Sequence, residues 1–295
     1  MNRVPRPRRS VLYIPGSNAS ALAKARGLPA DGLIFDLEDS VSPNTKAEAR
    51  RQVVAAVTGG GYGRRETVIR VNRLSTPWGQ DDLDAVAQTG ADACLLPKIE
   101  SPDEVHETLR QLDAAGAPPS LSVWIMAETP RGILGLDAIA AATSRLDVII
   151  VGTADLAKAL RTDFGGDRQG LLASLSACVL AGRAHGLDIL DGVHLQLDDT
   201  AGFTAACEQG RRLGFDGKTL IHPRQIATAN QVFGISDSEL GRAEVILAAW
   251  EAAERSGQGV TVVHGRLVEQ LHVDEARRVV ALRTAITDLD GDQQA

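Results

Sequence analysis

Short apolar runs and amphipathic stretches alternate through the first three quarters of the chain. Eight β-branched or aliphatic runs stand at Ser10–Pro15, Gly32–Glu38, Thr67–Asn72, Ala93–Lys98, Ser122–Glu128, Asp147–Gly152, Asp188–Val193 and Asp216–His222. Most are continuously apolar, the pattern of strands covered on both faces. Between them lie Ala/Leu/Glu/Arg-rich segments with helical spacing, such as Lys46–Val57, Gly79–Thr89, Pro102–Ala114, Leu171–Ala184 and Thr200–Leu213. Such alternation builds right-handed βαβ units and a parallel sheet. Eight units predict an α/β fold, a (β/α)8 TIM barrel over residues 10–234, preceded by a flexible tail over residues 1–9. A doubly wound open sheet is the alternative. It usually carries a Gly-rich dinucleotide loop after its first strand, and this sequence has none there. The Gly59–Gly63 run follows a helix and reads as a linker.

Residues 235–295 form a C-terminal helical and hairpin extension. Ser236-Asp237-Ser238-Glu239 is a capping box that opens a helix, and Gly257 is its stop. Val260–Val263 and Arg266–Val268 flank His264-Gly265 as a hairpin, and a helix follows over Val273–Ile286. A barrel closes without this segment, so it reads as an arm or lid, one that can reach a neighbouring subunit.

Composition narrows the function classes. Aromatics are 3% of the 295 residues, too few for platforms that stack nucleic-acid bases. The net charge of −7 argues against a broad basic surface, so neither nucleic acid nor membrane is an expected partner. No window approaches the length of an apolar membrane span. Cys94, Cys178 and Cys207 are odd in number and far apart, as in a reduced, cytoplasmic chain.

Polar groups collect where the predicted strands end, which in a barrel is the catalytic face. These are Asp36-Leu37-Glu38-Asp39, Arg70 with Asn72, Lys98, Glu128, Asp155, Asp191 and His222. Glu128 and Asp155 lie one βα unit apart, so their strands are neighbours at about 4.8 Å and both carboxylates can reach one ion. Two carboxylates and open positions suit Mg²⁺, with Mn²⁺ as a substitute. Alternatively, Glu128 holds Arg131 or a helix terminus and Asp155 caps its own helix. Arg70 lies within Val68-Ile69-Arg70-Val71-Asn72, and a buried arginine requires an anion. That anion is Asp36 or Glu38, a substrate carboxylate or a developing enolate, and the roles can coexist. Lys98 reads as an electrostatic group in preference to a Schiff-base nucleophile, because nearby carboxylates keep it protonated. Gly217-Lys218-Thr219 lacks the preceding glycine of a phosphate loop.

Taken in order, these motifs resemble the citrate lyase β-subunit-like proteins of the HpcH/HpaI aldolase superfamily. The resemblance is carried by Arg9-Ser10-Val11-Leu12-Tyr13-Ile14-Pro15-Gly16, Asp36-Leu37-Glu38-Asp39, Ile69-Arg70-Val71-Asn72 and Leu96-Pro97-Lys98. Glu128-Thr129 with Gly132, Gly152–Leu156, Asp191-Gly192-Val193 and Gly214–Pro223 complete it. It implies a barrel with a C-terminal arm, assembled as a homotrimer or homohexamer. It implies Mg²⁺ at Glu128 and Asp155, and a 2-oxo acid or hydroxy acid portion of an acyl-CoA thioester bound beside Gly152, Thr153 and Ala154. It implies Arg70 and Asp36 in the catalytic set, with Glu38, Asp39, Lys98 and Asp191 in support.

The family's usual acid–base residue is an aspartate in a Gly-x-Met-x-Asp segment. Here the matching stretch is Gly265-Arg266-Leu267-Val268-Glu269, followed by Gln270-Leu271-His272. This departure resembles the malyl-CoA thioesterase branch and makes Glu269 a catalytic candidate, acting within its own chain or in a neighbour's site. The expected activity is hydrolysis of malyl-CoA-type thioesters to the hydroxy acid and CoA. The alternatives are carbon–carbon lysis of malyl-CoA, citramalyl-CoA or citryl-CoA, a carrier-protein-bound citrate lyase β-type subunit, and an aldolase acting on free sugar acids.

Overall fold

Hydrogen bonding between neighbouring strands closes the eight apolar runs into one parallel ring. The computed structural model describes residues 5–163 and 165–292. Its strands are β1 (Ser10–Pro15), β2 (Gly32–Asp36), β3 (Glu66–Arg70), β4 (Ala93–Leu96), β5 (Ser122–Ala127), β6 (Leu146–Val151), β7 (Asp188–Asp191) and β8 (Gly217–Leu220). They pair in chain order, and β1 pairs with both β2 and β8. No open edge remains in this ring. The predicted TIM barrel is the observed fold, and the helices Pro102–Ala114 and Thr200–Leu213 keep the predicted bounds.

From β2 onward the ladders stop before the apolar runs do. β2 ends at Asp36 rather than Glu38, β4 at Leu96 rather than Lys98, and β5 at Ala127 rather than Glu128. The side chains there still pack, but the backbone has begun to turn into the next crossover. The polar residues after each strand therefore sit on loops, at the barrel face that supports chemistry.

Within each strand, alternate residues face opposite ways. Val11, Ile34, Val68, Trp124, Ile150 and Leu190 fill the interior as one cluster. Their neighbours Leu12, Phe35, Ile69, Ile125, Ile149 and Ile189 pack beneath the helices in another. The runs read as continuously apolar because both faces are covered.

The base of the barrel corrects the expected tail over residues 1–9. Residues 1–4 lie outside the described residues, but Arg8 and Arg9 are buried. Arg8 Nε and Nη2 each donate to the Glu66 carboxylate at 2.7 Å, and Nη1 reaches Asp188. Its guanidinium lies 5.2 Å from the centre of the Trp124 ring. Arg9 donates from Nε at 2.9 Å and from Nη2 at 2.7 Å to Asp31. The sequence at 1–9 looked like a solvated charge run; acids at the N-terminal ends of β2, β3 and β7 draw its last two arginines inward.

The chain from Gly234 onward forms a second compact unit. It contains a helix Asp237–Arg255 with the expected Ser236–Glu239 capping box. An antiparallel hairpin follows, β9 (Thr261–Val263) and β10 (Arg266–Val268), and then a helix Gln270–Asp292. The last helix is longer at both ends than predicted. Trp250, Val268 and Val273 form this unit's own core. Among the described residues, no helix is long and apolar enough to cross a membrane.

The Arg8 arrangement is testable. Arg8→Met leaves Glu66 and Asp188 without their shared cation. It is expected to lower the free energy of unfolding by about 3–5 kcal/mol, the cost of breaking a buried ion pair. Urea denaturation reads this directly, and a loss below about 1 kcal/mol, the range of exposed pairs, contradicts a buried Arg8 ion pair.

Candidate active site

The alternation that fills the interior also selects which strand-end groups face the mouth. Ile34 points inward, so Asp36 does too; Val68 brings Arg70 inward, and Trp124 and Met126 bring Glu128. Arg70 is 7% exposed. Its Nε and Nη2 donate to the two Asp36 carboxylate oxygens, each at 2.7 Å. Its Nη1 lies 2.9 Å from Glu38 Oε2 and 3.5 Å from the Met126 sulfur. The Tyr13 ring centre is 4.8 Å from its guanidinium carbon. Asp36 also accepts the Glu38 N–H at 2.9 Å and the Ser40 N–H at 3.1 Å. Burial pushes the Asp36 carboxyl up, but Arg70 and these N–H donors outweigh it and hold the group below its ordinary range. The fork is a permanent ion pair, and it turns the Nη1 edge of Arg70 toward the remaining groups.

Glu128 is 3% exposed. Burial, then the charge of Glu38, push its carboxyl up to about 7, against the pull of Arg70 and of the Lys98 N–H. That N–H donates to Glu128 Oε1 at 2.8 Å. It can do so because Lys98 has left the strand in a left-handed conformation, φ 52°. The Lys98 ammonium is 2.9 Å from Glu38 Oε1, 3.6 Å from Asp39 and 3.5 Å from Asp155. Burial works against its charge, yet Glu38, Asp39 and Glu128 raise its pKa, so the amine stays protonated and is no Schiff-base nucleophile. Gly152 admits the other Glu128 oxygen. A Cβ there would stand 2.4 Å from Glu128 Oε2, closer than any side chain tolerates.

Asp36, Asp39, Arg70, Glu128, Gly152, Thr153, Ala154 and Asp155 all border one cavity of about 450 Å³. Glu38 and Lys98 are tied to it through the ion pairs above. Helix Thr153–Leu160 starts at this wall, and its cap residue Gly152 supplies no side-chain acceptor. Thr153 Oγ1 is buried there without a hydrogen-bond partner. The wall therefore offers an uncapped helix N-terminus, which suits a carboxylate.

Two expected residues stand elsewhere. Asp191 does not reach the mouth. Leu190 takes the inward position on β7, so Asp191 faces the helices, where Arg168 donates to both its oxygens at 2.8 Å and Lys218 to one at 2.7 Å. Burial raises its pKa, but these two cations outweigh burial and lower it, making the cluster a buried staple of the barrel wall. Glu269 lies in the second unit and is exposed. Tyr13 and Met126 border the cavity although the sequence reading passed over them. Their inward register, shared with Val11 and Trp124, was the available signal.

The donor set fits a hard divalent cation. Among the described residues, Asp36, Glu38, Asp39, Glu128 and Asp155 outnumber the nearby cations Arg70, Lys98 and Lys46, so negative charge is in excess. Among the described residues, no three potential ligands converge into a ready-made cage. A pair of carboxylates that leaves further positions to water and substrate oxygen is what Mg²⁺ accepts.

Residues 9–223 match the HpcH/HpaI aldolase/citrate lyase family. The chain is 48% identical over 280 residues to a (3S)-malyl-CoA thioesterase of Cereibacter sphaeroides, covering 95% of this chain and 96% of that one. It is 38% identical over 284 residues to citrate lyase subunit beta of Escherichia coli, covering 95% and 94%. In structure it is similar to protein CitE of Mycobacterium tuberculosis in complex with magnesium, acetoacetate and coenzyme A. That match has a TM-score of 0.74 and 28% identity, over 93% of this chain and 97% of that one.

The environment of Glu128 sets a pH dependence. Its carboxyl titrates at about 7 in the fold against 4.5 in a free chain. Between these values the folded state holds a proton that the unfolded chain has released, so stability falls as pH rises through the window. In metal-free buffer at about pH 8, Glu128→Gln is expected to be more stable than the parent, by on the order of 3 kcal/mol. The gap should close as pH falls toward 4.5. Equal stability at the higher pH, read by denaturation, contradicts a buried-charge cost.

Proposed function

The chain belongs to the HpcH/HpaI aldolase/citrate lyase family, and from that premise we propose that it is a Mg²⁺-dependent enzyme hydrolysing malyl-CoA-type 3-hydroxyacyl-CoA thioesters. The observation that carries the reading is its likeness, along nearly its whole length, to a (3S)-malyl-CoA thioesterase. We further take it to be a cytoplasmic homotrimer or homohexamer in which Mn²⁺ can replace Mg²⁺.

In this reading Glu128 and Asp155 hold the metal. Mg²⁺ bound there supplies a Lewis acid and orients the oxygen donors of the hydroxy-acid portion. The free carboxylate of the acyl group docks at the N-terminus of helix Thr153–Leu160, beside Gly152, Thr153 and Ala154. Asp36 keeps the Arg70 fork fixed, so the guanidinium is held in place for the thioester oxygen before charge develops on it. Glu269, of the same chain or of a neighbouring copy, takes a proton from water as the water oxygen bonds to the thioester carbon. Arg70 stabilises the resulting oxyanion. The carbon–sulfur bond then breaks, and the CoA thiolate leaves and takes up a proton.

A second reading uses the same groups for carbon–carbon cleavage, with Arg70 stabilising the enolate of acetyl-CoA as a 2-oxo acid departs. Likeness to citrate lyase subunit beta favours it, in a free or a carrier-bound form.

Incubation of the pure protein with malyl-CoA and Mg²⁺ separates the readings. Free CoA with malate supports hydrolysis, acetyl-CoA with glyoxylate supports lysis, and unchanged substrate counts against both. Glu128→Gln and Asp155→Asn are each expected to abolish Mg²⁺ binding and turnover; Mg²⁺-dependent turnover surviving in both sinks the metal assignment. Arg70→Ala should lower kcat/KM by about 10²–10³-fold, the scale of one lost oxyanion donor. An unchanged value rejects that role.

A further inference from the structure

Beneath the loop that carries Asp36, Glu38 and Asp39 lies a buried ammonium. Lys46 opens the helix Lys46–Thr58 and is 6% exposed. Its Nζ donates to Leu37 O at 2.8 Å, to Glu38 O at 2.7 Å and to Asn72 Oδ1 at 2.8 Å. An ammonium has three N–H donors, and here all three go to neutral oxygens. The Trp78 ring centre is 5.2 Å away, and burial outweighs the more distant pull of the Asp36, Glu38, Asp82 and Asp39 carboxylates on the ammonium's charge. Burying a cation against neutral acceptors is costly, and methionine would fill such a space without that cost. Packing alone gives no reason for a lysine.

What the ammonium holds gives the reason. The Glu38 peptide is gripped from both sides: its N–H donates to Asp36 Oδ1 at 2.9 Å, and its carbonyl accepts from Lys46. Asn72, just beyond β3, donates from Nδ2 to Leu37 O at 2.9 Å and to Asp82 at 2.6 Å. The Lys46–Asn72 contact therefore pins the loop after β2 to the end of β3. The side chain fixed by this grip is Glu38, which lies 2.9 Å from Arg70 Nη1 and 2.9 Å from Lys98 Nζ. Among the described residues Glu38 is thus the carboxylate 2.9 Å from both cations of the mouth, hydrogen-bonded to Lys98 through Oε1 and ion-paired with Arg70 through an Oε2 that makes no hydrogen bond.

We propose that Lys46 is a positioning residue for Arg70. By holding the Leu37 and Glu38 carbonyls it aims the Glu38 carboxylate at the Nη1 edge of Arg70 and at Lys98. The inference rests on the reading in which Arg70 meets the substrate's developing negative charge.

The test compares Lys46→Met, Lys46→Arg and the milder Lys46→Gln in the full chain. In Lys46→Met, Mg²⁺ affinity by calorimetry and KM are expected to stay within about twofold, while kcat falls about 10–100-fold. Lys46→Arg, which still donates to both carbonyls, is expected to recover most of that loss, and Lys46→Gln to show the same split at smaller size. A kcat per folded molecule within about twofold of the parent in both neutral variants, with only the melting midpoint lowered, makes Lys46 a fold staple and overturns the proposal. A crystal structure of Lys46→Met, or of Lys46→Gln if the former does not fold, gives a readout independent of turnover. Glu38 should have left Arg70 or Lys98, and Glu38 in its parent position overturns the proposal. A parent that does not act on malyl-CoA removes the proposed function, while the structural comparison still decides what Lys46 holds.

Discussion

A guanidinium held inside a barrel must be surrounded by anions, and the mouth of this protein is built around that requirement. Arg70 sits one inward step above the apolar interior, where an unpaired charge is not tolerated. Asp36 satisfies two of its donors from the adjacent strand, in the register that places Asp36 opposite Arg70. That fork fixes the plane of the guanidinium, while Lys46 holds the backbone that brings Glu38 to its remaining side. Glu38 pairs in turn with Lys98, and the Lys98 backbone N–H orients Glu128. A rigid charge pattern thus extends around one buried arginine. Such rigidity is what electrostatic catalysis needs, because dipoles fixed in advance require no reorganisation when charge develops.

The same pattern explains why the acids at the mouth do not behave alike. Asp36 is locked as an anion by Arg70, whereas Glu128, equally buried, is only partly compensated and titrates near neutrality. Burial acts on both, but Asp36 has the Arg70 fork and two N–H donors against it, whereas Glu128 also feels the charge of Glu38. A carboxylate left under-compensated in a dry wall is primed for a divalent ion. Gly152 keeps the approach to its second oxygen free of a side chain.

The barrel was legible in the sequence because both faces of every strand are covered, so each strand appears as an unbroken apolar run. Of the cavity-lining set, Asp36, Arg70, Glu128 and Asp155 were legible as strand-end polarity, and Gly152 came with the family resemblance. Asp191 was misplaced because a strand end alone does not say which face a residue takes. Counting in twos from Leu190 would have sent it outward. Arg8 and Arg9 read as tail because their partners, Asp31, Glu66 and Asp188, are remote in sequence and meet them only once the ring closes. Lys46 was silent for a similar reason: its acceptors are backbone carbonyls and an amide, which no motif records.

The interior of the barrel has three levels: Arg8 with its two acids at the base, a band of aliphatic side chains and Trp124, and the charged mouth. The middle band acts as an insulator. Its described members, Val11, Ile34, Val68, Ala93, Leu95, Trp124, Val148, Ile150 and Leu190, carry no charge that could relay protonation from one end to the other. The base can therefore serve as a purely mechanical seal, whose charges change without detuning the acids above. The loops at the mouth can in turn exchange one chemistry for another while the seal stays as it is. Reaction type and barrel integrity are thus separate problems in this fold, divided by a layer of hydrocarbon.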